Sequence, residues 1–263
     1  MSAFRDGAAA EPSPFGDRVR RVSSDEPFRW LQAGWRDLLA APAVSLGYGL
    51  VFVAAGLALT VGLWRTPYFY MLAPLMSGFM LVGPVLTTGF QTISRDLEQG
   101  RRPSYASTWS AFKANAGSLF YAALAFMLLF LAWLRISQLL FALTFPAGAS
   151  LDPQGLLNAT FFTVNGLEFL VLFVAFGIVV AAIAFAGGAF ALPMLIDRNV
   201  GAAEAIATSF TAVAMNPRPM AVWAVILVVL VTFGMAIFFV GLIVTLPIAG
   251  HAAWHAYKAT IRA

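Results

Sequence analysis

The chain has 263 residues, 60% of them hydrophobic and 11% charged, with 16 Lys and Arg against 12 Asp and Glu and no Cys. A mean hydropathy of +0.83 leaves too little polar surface for a water-soluble domain. The missing thiols exclude disulfides, thiolate nucleophiles and Cys-ligated metal or iron–sulfur centres.

Residues 1–29 carry no apolar targeting segment. Gly7, Pro12, Pro14 and Gly16 among alternating charges read as a disordered cytoplasmic tail. Residues 30–263 read as one transmembrane domain, all-α, with a threefold internal echo. Three times a short amphipathic stretch ends in Asn or Pro and runs into a long uncharged apolar segment: Trp30 to Pro42, Thr108 to Asn115, and Ala207 to Pro217. In the first copy Trp30, Leu31, Trp35, Leu38 and Leu39 form an apolar face, and Arg36 and Asp37 are expected to point to water.

The apolar segments approach the roughly 20 residues that cross a bilayer as a helix. Spans are expected over about 43–63, 70–93, 117–134 with apolar residues reaching 145, and 167–196. A loop with Pro146, Gly148, Asp152 and Pro153 separates the third from the fourth. Met220 to Tyr257 is uncharged and long enough for two more spans that turn near Gly234 to Gly241. The expected architecture is a polytopic membrane protein with six transmembrane helices in three repeats, at about 30–97, 104–198 and 202–258. Each repeat is a short interfacial helix followed by a transmembrane hairpin.

With the amino terminus inside, fourteen of the 16 Lys and Arg fall on the cytoplasmic side and only Arg65 and Arg135 lie outside. This bias predicts both termini inside, in a bacterial inner membrane. The net charge of +4 then describes a collar facing anionic lipid, with no nucleic-acid platform.

The second, fourth and sixth spans share Gly/Pro interruptions: Gly83-Pro84-Val85-Leu86-Thr87-Thr88-Gly89, Gly187-Gly188-Ala189-Phe190-Ala191-Leu192-Pro193, and Leu246-Pro247-Ile248-Ala249-Gly250-His251. Such breaks serve close helix packing or, in transporters, a site built from broken helices. For a solute path, Thr87, Thr88 and Gln91 are the expected cavity lining. The spans hold almost no ionisable groups. Asp197 and Arg198, just beyond the fourth, read as a local pair at the interface. His251 and His255 share a helical face and are the candidate cofactor positions, for haem above all. With few converging ligands in view, the simpler expectation is an interfacial band with Trp254 and Tyr257, and no cofactor or metal.

The run Leu246-Pro247-Ile248-Ala249-Gly250-His251-Ala252-Ala253-Trp254-His255-Ala256-Tyr257, with Pro193-Met194-Leu195-Ile196-Asp197-Arg198 and Ala205-Ile206-Ala207-Thr208-Ser209, resembles the bacterial integral-membrane family termed domain of unknown function (DUF) 2189. The resemblance implies a polytopic inner-membrane protein of unestablished function. Some members carry a cytochrome c oxidase subunit label, although a haem–copper catalytic subunit resembles a twelve-span bundle with several metal-binding His.

Three function classes follow. The first is a non-enzymatic scaffold or accessory subunit, assembling with itself or another membrane protein through Gly78, Gly83, Gly89, Gly177, Gly187 and Gly188. The second is a transporter or channel for a neutral or lipid-like solute. The third is a haem or respiratory-complex component using His251 and His255. No nucleophile, base and oxyanion group converge by spacing, so no catalytic residue is expected.

Overall fold

The computed structural model describes residues 15–145, 152–237 and 239–262, apart from the side chains of 80–84 and 86. Among them the order is α1 (Glu26–Ala40), α2 (Pro42–Trp64), α3 (Leu72–Leu86), α4 (Thr88–Glu98), α5 (Tyr105–Ala114), α6 (Ala116–Thr144), α7 (Pro153–Phe162), α8 (Val164–Gly188), α9 (Ala191–Asp197), α10 (Ala202–Met215), α11 (Pro217–Ala236) and α12 (Leu242–Thr260). Two single 3₁₀ turns and one isolated bridge, Val19 to Ile261, complete the regular structure of the described residues.

Among the described residues four stretches are long and apolar enough to cross a membrane: Pro42–Trp64, Ala116–Thr144, Val164–Asp197 and Pro217–Ala236. The chain is thus an all-helical integral membrane protein in outline. The expected second span divides at Thr87 into α3 and α4, and the polar residues of α12 lower its hydropathy, so neither stretch qualifies by length and composition alone. Backbone groups in lipid must be satisfied internally, which is why the apolar stretches are helices. The expected turn after Gly234 is present, because α11 ends at Ala236 and α12 starts at Leu242 and packs back on it.

The residues at the three expected junctions, each at or just before the punctuating Asn or Pro, share one backbone conformation. Ala41 (φ −136°, ψ 56°), Asn115 (φ −133°, ψ 43°) and Asn216 (φ −128°, ψ 51°) each end a short helix and start a long one. Pro42 and Pro217 follow two of these junctions at the first helical position, where a missing N–H costs nothing. The two Asn side chains also bond outward. Asn115 Nδ2 donates to the carbonyls of Leu195 (3.2 Å), Arg198 (3.4 Å) and Val200 (3.1 Å), and Arg95 adds a bond to the Ile196 carbonyl at 2.6 Å. Between them they cap the carboxy-terminal end of α9, whose last carbonyls have no partner within the helix. Asn115→Ala is therefore expected to lower stability by about 1–2 kcal/mol, measured by thermal unfolding in detergent. An unchanged melting temperature would show that water replaces this cap freely.

Asn216 accepts from the Val22 amide (2.9 Å) and donates to the Arg20 (3.1 Å) and Ala212 (3.0 Å) carbonyls. Together with the Val19–Ile261 bridge, it fastens residues 19–22 to the start of α11 and the end of α12. The sequence reading extends the disordered tail to residue 29. In the structure Val19 is buried and α1 begins at Glu26, because main-chain bonds to Thr260 and Arg262 and the Asn216 side chain hold this segment; residues 1–14 lie outside the described residues. The expected loop before the fourth span is also partly helical. Asp152 accepts from the Gly155 amide as the N-cap of α7 and Pro153 follows at the first position. Pro146 and Gly148 lie outside the described residues.

The amphipathic α1 uses a different face from the expected one. Trp30, Gly34 and Leu38 are buried, whereas Trp35 and Leu39 are exposed and Asp37 turns inward. The cause is Gly34: a Cβ there would lie 2.7 Å from both the Ala252 nitrogen and the Ile248 oxygen, so the two backbones are nearly in contact. Trp30 closes the same seam with an edge-on contact to Trp223 of α11, ring centres 5.8 Å apart. At the centre, α4, α9 and α12 pack against one another, and their sides are covered by α1, α2, α10 and α11.

Candidate functional site

The polar side chains of this protein gather where α12 ends. His251 is fully buried against the edge of Phe90, with ring centres 5.6 Å apart. Its Nε2 lies 3.0 Å from Ser45 Oγ of α2, and its Nδ1 lies 2.8 Å from Ser94 Oγ of α4. One turn on, His255 Nε2 is 2.8 Å from Asp37 Oδ2 of α1, and the Ser94 hydroxyl also hydrogen-bonds that carboxylate.

The direction of each bond follows from donor chemistry. An ionised carboxylate only accepts, so Ser94 and the His255 N–H donate to Asp37. Ser94 then has a lone pair left for an Nδ1–H of His251. That tautomer leaves His251 Nε2 as the acceptor for the Ser45 hydroxyl. A neutral imidazole thus joins α2, α4 and α12, and Asp37 adds α1. Burial opposes ionisation of Asp37, but the His255 and Ser94 hydrogen bonds outweigh it and hold this carboxyl below the usual carboxylate range.

The neighbouring residues form a second cluster. Trp254 Nε1 donates to Glu98 Oε2 at 2.9 Å, and Tyr257 donates its hydroxyl to Asp197 Oδ2 at 2.8 Å. Lys258 lies 3.5 Å from Glu98 and 3.9 Å from Asp197, and Arg198 lies 3.8 Å from Asp197 while donating to the Arg262 carbonyl at 2.6 Å. Asp197 and Arg198 do pair locally, as their adjacency predicts, and Asp197 also takes the Tyr257 hydroxyl.

Several expectations are corrected. His251, Trp254 and Tyr257 are enclosed by other helices of the same chain, so they do not form a band exposed to headgroups; only His255 is partly open. Inward carboxylates do exist near the histidines, namely Asp37 and Asp197, while the exposed Glu98 accepts from Trp254 at the rim. Even so, among the described residues no three His, Asp or Glu converge in the manner of a metal site. Both ring nitrogens of His251 are already engaged, so a haem or metal ion could take one only by breaking a buried hydrogen bond.

The helix-break residues separate from this cluster. Gln91 and Thr88 are buried in α4, with Oε1 of Gln91 lacking a protein partner, and Thr87 forms the break before α4. The apolar cavity between α2, α3, α11 and α12 is lined by other residues than Thr87, Thr88 and Gln91. Pro193 is buried in the short α9, and Pro247 sits inside an unbroken α12. Gly83 and Pro84 fall in α3, with side-chain surroundings outside the described residues. Of the glycines expected to form assembly faces, Gly78, Gly89, Gly177 and Gly187 point at Phe130, Tyr48, Trp133 and Phe210 of the same chain. They serve internal packing.

Asp37, Ser45, Ser94 and Glu98 do not stand out in the sequence. Their partners lie from 156 to 218 positions away, and no local spacing signals such pairs.

No curated protein and no solved structure matches this chain. A family model does match, over a segment holding α4, α9 and Asp197 but ending before the carboxy-terminal Gly-His-x-x-Trp-His-x-Tyr run that carries most of the resemblance. Over residues 71–197, slightly under half of the chain, this protein matches the family described as a predicted integral membrane protein, DUF2189.

Proposed function

We propose that this protein is a non-enzymatic membrane scaffold or accessory subunit, inserted in a bacterial inner membrane by six passes with both termini inside. In this reading α3 with α4 and α12 supply the second and sixth passes, and α1, α5 and α10 lie at the cytoplasmic interface. The common φ and ψ of Ala41, Asn115 and Asn216 support three copies of one unit. The orientation rests on the distribution of Lys and Arg.

The observation that carries the non-enzymatic reading is the closure of the polar cluster. His251, Ser45 and Ser94 are at most 1% exposed and bond one another. A hydrolytic or transfer site needs a group open to substrate, and this arrangement spends its hydroxyls and imidazole on joining helices. The function left to such a body is to present its outer faces to lipid and to protein partners.

The test is native mass spectrometry of the protein extracted gently from its own membrane, with an absorption spectrum of the same sample. A stoichiometric protein partner or a homo-oligomer, with no visible band, is the expected result. A partner-free monomer with a haem band, or with a bound polar solute, would overturn the proposal.

A further inference from the structure

α2, α3, α11 and α12 surround a cavity of about 110 Å³, and every residue that lines it is apolar. Phe52, Phe239 and Leu242 are buried and close its inner end, whereas Ala55 and Leu59 of α2 are exposed and form its mouth. The mouth therefore opens sideways from the helices. Val51, Ala55, Ala58, Leu59 and Gly62 share that face of α2, and all are exposed without one polar side chain among them. On a helix long and apolar enough to cross a membrane, such a face meets acyl chains.

The depth of the mouth agrees with this. At the rise of an α-helix Ala55 and Leu59 stand about 20 and 26 Å from Pro42, within a hydrocarbon core about 30 Å thick. They lie below the headgroups and level with the acyl chains of the leaflet nearer Trp64. The cavity is also built into the backbone. Phe239 has a positive φ of 64°, uncommon and costly for a side chain of this size, and its ring lies against Gly56, where a Cβ would be 2.6 Å from the ring. The α11–α12 turn thus sets an aromatic wall on bare backbone, and the small Ala55 beside it leaves the entrance unfilled. Left empty, the lining atoms would lose the dispersion contacts of a packed interior.

We propose that this cavity takes the distal part of one acyl chain of a bilayer lipid, entering between Ala55 and Leu59. An apolar cavity of about 150 Å³ accepts benzene, so this one holds roughly four carbons of a chain. Recognition is of hydrocarbon alone, with no part for the headgroup, and it stands whether or not a protein partner exists.

The test uses the full chain in phosphatidylcholine vesicles that contain a phosphatidylcholine with a diazirine at the end of one acyl chain. A second preparation carries the diazirine on the headgroup. After irradiation, labelled residues are located by mass spectrometry, with the exposed Val171 and Val174 of α8 as the reference for general lipid contact. The chain-end probe is expected to label Met76, Phe79 or Met235 of the lining, and the headgroup probe to leave them unlabelled. Ala55→Phe, which fills the mouth, should lose the labels in the lining and keep those on α8. Should this variant lose the wild-type near-ultraviolet circular dichroism, Leu59→Trp takes its place. A lining that stays unlabelled in wild type, that both probes label equally, or that a folded mouth variant labels as wild type does, overturns the proposal.

Discussion

Replacing His251 by Leu is expected to destabilise the protein by about 1–3 kcal/mol, because the Ser45 hydroxyl would remain buried and unsatisfied without the imidazole, whereas Ser94 would keep its bond to Asp37. His251, Ser45 and Ser94 are at most 1% exposed, so water cannot enter without opening the packing around Phe90. The measurement is thermal unfolding in detergent followed by the near-ultraviolet signal of the neighbouring Trp254. Removing the Ser45 hydroxyl as well, in Ser45→Ala/His251→Leu, should recover part of the loss, since deleting both partners of a buried bond costs less than deleting one. If the single variant melts with wild type, the network carries no stability.

The same network sets a pH dependence. Asp37 has its carboxyl pKa lowered in the folded protein, despite burial, by the bonds from His255 and Ser94. Its contribution is present above the unfolded-state value of about 4 and is lost as pH falls through the lower folded value. Wild type and Asp37→Asn should therefore differ at neutral pH and converge in acid.

The second large effect is expected at Gly34. A methyl group there would sit 2.7 Å from two backbone atoms of α12, which cannot rotate away as a side chain could. Gly34→Ala should cost about 1–3 kcal/mol as overpacking and move α1 off α12, although Ala is the better helix former by about 1 kcal/mol. Gly62, in α2 with nothing within 4 Å of its would-be Cβ, is the control, and Gly62→Ala should be neutral or slightly stabilising. Opposite signs for the two substitutions test the seam directly; equal effects would mean that α1 is loosely held. Loosening α1 also withdraws Asp37 from His255, so Gly34→Ala and Asp37→Asn should be non-additive.

The sequence by itself determined the solvent and much of the element order. Runs such as Val44 to Leu63 are too apolar for water, and a chain in lipid has little choice but helix. The junctions at Pro42, Asn115 and Asn216 were legible because punctuation is local: the residue that breaks a helix sits where the break occurs. Asp152 and Pro153 read as part of a loop in the sequence, because Pro and Gly beside them also mark turns, yet they start α7.

Only the tertiary structure decided which polar groups meet. Asp37 on an amphipathic helix reads as a solvent-facing charge until Gly34 lets α1 lie against α12 and turns that face inward. Ser45 and Ser94 are ordinary helix residues until the antiparallel register of α2 and the position of α4 bring both hydroxyls to one imidazole. The small residues expected to form outer faces are likewise filled by Phe130, Tyr48 and Phe210 from within the chain. Periodicity and punctuation act over a few residues along the chain, whereas these contacts join positions as many as 218 apart, and their geometry exists only once the helices have packed.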